Sequence, residues 1–133
     1  MVVDSLRDGV RIGQLLASEI TGNHGHLRAL TVTDADPDVE PTPDGVLAYR
    51  VRNTPDNTVE SADEAGTLVA EVYVHADRCR VEFITSPDDV AAVASEQGLR
   101  VRPKAVHPPQ TIVFVEDGAQ VKRVLPVFDA AVP

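Results

Sequence analysis

Thr67-Leu68-Val69-Ala70-Glu71-Val72-Tyr73-Val74-His75, then Ala76-Asp77-Arg78, then Cys79-Arg80-Val81-Glu82-Phe83-Ile84-Thr85: two alternating segments rich in β-branched residues flank a three-residue break and read as a β-hairpin. Side chains alternate across a strand with period two. Leu68, Ala70, Val72 and Val74 therefore share a core face with Cys79, Val81, Phe83 and Thr85. Placing apolar opposite apolar across the shortest loop sets Val74 beside Val81 and Val72 beside Phe83. The other face then pairs His75 with Arg80 and Tyr73 with Glu82.

Downstream, Ser86 is expected to cap a helix. Pro87 suits its first turn, Asp88 and Asp89 complement its dipole, and Gly98 ends it; Val90, Val93, Ala94 and Gln97 mark the inward side. Leu99 to Arg102, Thr111 to Glu116 and Ala119 to Leu125 read as further strands, the last two joined by Asp117-Gly118, a hairpin signal. Cys79 to Thr85, the second helix and Leu99 to Arg102 could form a right-handed βαβ crossover with one parallel pair.

Upstream, Leu27 to Thr33 and Val46 to Arg52 read as strands, separated by an acidic, proline-punctuated loop from Asp34 to Asp44. A polar loop spans Asn53 to Gly66. The first element reads as a helix from Leu6 to Ile20, opened by Ser5 and Asp8 in the manner of a capping box and followed by Gly22. Gly9 and Gly13 weaken that helix and point to close packing instead. The expected fold is α+β: one domain, residues 1–133, with a mostly antiparallel sheet of six to seven strands and two helices packed on one face.

At 14.3 kDa and 43% hydrophobic residues the chain suits one core. No run approaches the roughly 18 apolar residues that cross a bilayer. The start Met1-Val2-Val3-Asp4-Ser5 lacks the basic and apolar regions of a signal peptide, so a cytoplasmic location is expected. Cys79 is the sole cysteine and reads as a small buried thiol.

The charge is lopsided. Against 21 Asp plus Glu stand 12 Lys plus Arg, of which only Lys104 and Lys122 are lysines; the formal net charge is -9 and aromatics make up 4%. Such self-repulsion opposes compaction unless ions screen it, and the screening length falls from about 10 Å at 0.1 M salt to about 3 Å at 1 M. The composition resembles that of small acidic proteins of halophilic archaea. That resemblance implies a habitat and assigns no activity or site residue.

The most suggestive chemistry lies in cation pairs two residues apart: Arg50 and Arg52, Arg78 and Arg80, Arg100 and Arg102. On strands, each pair shares a face. Arg50, Arg52, Arg80, Arg100 and Arg102, with Tyr73 and His75, could offer guanidinium forks to phosphate or carboxylate. The opposing expectation is a solvated lattice, since Glu71 and Glu82 share that face.

His24 and His26 form a His-x-His pair that could supply two metal ligands, one short of the three protein ligands a catalytic zinc commonly needs. Asp34-Ala35-Asp36-Pro37-Asp38-Val39-Glu40 resembles the opening of a calcium loop, but Val39 and Gly45 stand where the turn glycine and bidentate glutamate belong. There is no Gly-rich phosphate loop, and no cofactor is expected.

The leading expectation is a non-enzymatic interaction or assembly module. It would associate with itself or with a protein partner through a sheet edge or the apolar end Val124-Leu125-Pro126-Val127-Phe128; nucleic acid and membrane are not expected. The alternative is a small-molecule or nucleotide-binding protein, or enzyme, using the arginine face. Metal-dependent hydrolysis through His24 and His26 is a third class.

Overall fold

The computed structural model describes residues 8–22, 29–54 and 66–132. In chain order the elements are α1 (Gly9–Gly22), β1 (Leu30–Thr33), β2 (Val46–Asn53), β3 (Thr67–Val74), β4 (Cys79–Phe83), α2 (Pro87–Glu96), β5 (Val101–Lys104), β6 (Gln110–Val115) and α3 (Gly118–Ala131). The strands form one sheet in the order β1-β2-β3-β4-β6-β5, and every neighbouring pair is antiparallel. All three helices contribute to the core on one face: Ile12, Leu16 and Ile20 of α1, Val90 and Ala94 of α2, and Val121, Val124 and Phe128 of α3 are buried with Val72, Val81, Phe83 and Val113 of the sheet. Phe83 and Phe128 meet edge to face with ring centroids 4.8 Å apart.

From Ala70 onward the hairpin of β3 and β4 has the expected faces but a different register; at the start of β3 a bulge against Val51 and Arg52 buries Val69 in place of the expected Leu68. Val74 pairs with Cys79, Val72 with Val81 and Tyr73 with Arg80, two residues away from the pairing expected above. The His75 N–H donates to the Arg78 carbonyl at 2.9 Å, closing a tight turn at Ala76-Asp77. A shift of two preserves the alternation, so Ala70, Val72, Val74, Cys79, Val81 and Phe83 stay inward.

The seventh strand is instead a helix. Asp117 is the N-cap of α3, its side chain accepting from the Gln120 N–H at 3.0 Å, where Asp117-Gly118 suggested a hairpin. Val121, Val124, Phe128 and Ala131 recur at helical spacing and are all buried. Pro126 lies inside α3, on its exposed side with Lys122, and having no N–H it offers the Lys122 carbonyl no helical donor.

The expected parallel pair is also corrected. β4 and β5 run the same way, but β6 lies between them, antiparallel to both. Ser86 does precede α2, yet its left-handed backbone (φ 50°, ψ 55°) gives no side-chain cap. Gly98, at φ +74°, ends α2 as expected: its N–H and that of Leu99 donate to the carbonyls of Ser95 and Ala94.

At the other end of the core, Asp8 accepts from the N–H groups of Val10 and Arg11 and so caps α1. Ser5 lies outside the described residues. Gly9 donates to the Ala76 carbonyl at 3.0 Å, and a Cβ there would overlap the His75 carbonyl oxygen, so only glycine lets α1 approach the β3–β4 turn. A bulge at Ala48 keeps Tyr49 turned inward, where its hydroxyl donates to the Gly13 carbonyl at 2.8 Å.

Candidate functional site

The sheet face opposite the helices carries most of the residues singled out by their charge and spacing. Register ties them into rows. Thr33, Arg50, Glu71, Glu82, Ile112 and Arg102 follow one another across the six strands. In the adjacent row Leu47, Tyr73, Arg80 and Phe114 follow in turn, and the Phe114 N–H reaches the Arg100 carbonyl at 2.9 Å.

Glu71 stands directly opposite Glu82, an arrangement that destabilises a sheet unless each carboxylate is neutralised. Both are. Arg50 Nε lies 3.0 Å from Glu71, and the Tyr73 hydroxyl donates to the same carboxylate at 3.4 Å. Glu82, only 3% exposed, accepts from Arg80 Nε and Lys104 Nζ, each at 2.7 Å. Burial pushes the Glu82 carboxyl up, but the hydrogen bonds and charges of Lys104 and Arg80 together outweigh it and leave it below its ordinary value. Its bond to Glu71 holds the Arg50 guanidinium above its ordinary value despite partial burial.

Arg80 is committed on all sides. It stacks 4.3 Å over the Tyr73 ring, and its Nη1 donates to the Asp44 carbonyl at 2.9 Å. His75, 6% exposed, donates from Nδ1 to the Pro43 carbonyl and accepts from Arg80 Nη1 at Nε2, both at 3.1 Å. Histidine and arginine thus tie the end of the Asp34–Asp44 loop to the sheet. Burial, then Glu71, raises the Tyr73 phenol.

Arg50 and Arg52 do share a face, and both lie near Asp34, at 3.5 and 4.0 Å. Arg100 stacks 4.5 Å over Phe114 with Glu116 3.7 Å away. Arg102 is exposed and has no ion pair among the described residues. The structure therefore brings Arg50, Arg52, Tyr73, His75, Arg80, Arg100 and Arg102 onto one side of the molecule, largely neutralised by carboxylates.

Phe114 and Lys104 complete the face and were not among the residues singled out. Their signal was parity: Phe114 in β6 alternates with Glu116 just beyond it, and Lys104 continues the period of Arg100 and Arg102. Arg78 departs from the group. It pairs with Asp77 at 2.9 Å and lines a hollow of about 360 Å3 in which Asp77, Glu116 and Asp117 outnumber it.

His24 and His26 lie outside the described residues. Among the described residues no group of three or more His, Cys, Asp or Glu is placed to hold a metal ion, and no helix is long and apolar enough to cross a membrane. Cys79 is buried, its Sγ 3.1 Å from the Gly9 carbonyl; burial, then the charge of Asp8, pushes its thiol up to about 12, which suits packing and not nucleophilic attack.

Over its whole length, residues 1–133, the sequence matches the family described as "Family of unknown function (DUF7993)". The chain belongs to DUF7993. Comparison with curated proteins and with solved structures finds no match. In this DUF7993 chain the arginine face is neutralised from within, by Asp34, Glu71, Glu82 and Glu116.

Proposed function

We propose that the chain is a non-enzymatic interaction module of a halophile's cytoplasm, and that the open face of its sheet receives a protein partner. The observation that carries this reading is the internal use of the guanidinium groups: Arg50 and Arg80 are bonded to Glu71 and Glu82 of the chain's own sheet. Stacked Arg80–Tyr73 and Arg100–Phe114 pairs give the face rigid, amphipathic groups of the kind that dominate protein interfaces. Val124, Val127 and Phe128 are fully buried in the chain's own core, which moves the expected contact from the apolar end to the sheet. Dense carboxylates and two lysines support the saline setting.

A photo-crosslinking side chain at Ile112, on the open face beside the edge strand β5, tests the reading in cells against the same group at Lys122 on α3. Cross-links to a defined protein from position 112 alone are expected. Stabilisation of the purified chain by phosphate compounds, lost in the Arg50→Ala, Arg52→Ala variant, would instead establish the anion-binding alternative.

A further inference from the structure

Charge is not spread evenly over this molecule. Among the described residues, six of the ten basic ones stand on the open sheet face, where four carboxylates pair with them, although the whole chain carries 21 acidic residues. The unspent part of that charge lies on one strand. Arg100, immediately before β5, alternates with Arg102 and Lys104 within it, and the three project on the same side: Arg100 stacks on Phe114, Arg102 pairs with Ile112, and Lys104 reaches Glu82.

Each has spare donors. Stacking occupies the flat face of the Arg100 guanidinium and leaves its N–H edge outward, and the side chain is 59% exposed, with Glu116 no closer than 3.7 Å. Arg102 is exposed without an ion pair among the described residues, and Lys104 is 37% exposed beyond its single bond to Glu82. Successive members are two residues apart, about 6.7 Å along a strand.

We infer that this β5 ridge binds an extended acidic protein segment whose carboxylates alternate with the same period. The inference rests on the proposed interaction role and names the partner's chemistry. Period-two carboxylates on an extended chain match the ridge in spacing, and the two guanidinium forks bind them bidentately. Direct pairing onto the free edge is limited. Arg100 turns its backbone toward β6, so alternation turns Val101 and Pro103 outward, and Pro103 has no N–H to offer. Recognition therefore runs through the side chains. A nucleic acid fits less well, because Phe114 is covered by Arg100 and only 8% exposed, leaving no bare ring for base stacking.

The test titrates a fluorescein-labelled peptide of alternating Glu and Thr into the purified chain, at the KCl concentration where it is folded, and reads anisotropy. A peptide of the same composition with its Glu residues in one block and a thymidine oligonucleotide serve as competitors. The alternating peptide is expected to bind at least about tenfold tighter than the blocked one, as two or more matched contacts require. Arg102→Glu is expected to reduce binding by about the same factor with an unchanged melting curve, and Arg100→Gln to reduce it less. Equal binding of both peptides, indifference to Arg102→Glu, or displacement by the oligonucleotide would overturn the inference. Cross-linking from Ile112 is independent of these outcomes, so the interaction role can stand where the acidic partner fails.

Discussion

Glu82 is the residue on which the open face most depends, because one buried carboxylate neutralises both Arg80 and Lys104. Its folded value lies below the ordinary carboxylate value of about 4.3, so the stability it contributes is present above that pH and is lost as pH falls through the folded value. Glu82→Gln leaves two half-buried cations without a counter-charge; a loss of about 1 to 3 kcal/mol in chemical denaturation is expected, with a weaker dependence on acid. Cys79 titrates in the other direction. Because burial raises its thiol to about 12, its contribution is full below the unfolded value of about 8.5 and declines as pH rises toward 12. In native conditions near pH 8 it should resist a disulfide reagent such as dithionitrobenzoate, and react at once when the chain is unfolded by guanidinium.

Helix placement turns on two small local features. Gly9 lets α1 meet the β3–β4 turn, and Gly9→Ala drives a methyl group into the His75 carbonyl oxygen. Since the obstacle is backbone, the helix must shift, and a loss of at least about 2 kcal/mol in a denaturant titration is expected. For α3, Asp117→Ala removes the side-chain acceptor of the Gln120 N–H and should cost about 1 kcal/mol by the same measurement, without changing the denaturant dependence. These elements also show where sequence reading stops. The β3–β4 faces and the end of α2 at Gly98 were legible, because alternation and a left-handed glycine are local. The helix after Asp117 was misread because Asp-Gly serves both a tight turn and a helix start. Its pattern, Val121, Val124, Phe128 and Ala131, became decisive only with Phe128 seated on Phe83.

Across the molecule, a net charge of -9 is distributed unevenly: among the described residues, basic groups on the open sheet face outnumber their carboxylate partners. Salt relieves the repulsion among the excess carboxylates at distances beyond a few ångströms while close pairs such as Arg80–Glu82, at 2.7 Å, are screened far less. The melting temperature should therefore rise between dilute buffer and several molar KCl; a flat profile by differential scanning calorimetry would remove the saline reading. The sequence by itself contained the excess of carboxylates, the α+β class, and the shared faces of Arg50 with Arg52 and Arg100 with Arg102, all of which depend on residue type or on local periodicity. Whether those arginines were ligand-seeking or paired depended on contacts between residues distant in the chain: Glu71 against Arg50, Lys104 against Glu82, Pro43 against His75. A charge's partner is fixed by strand order and register, and those are set by how the whole apolar core packs.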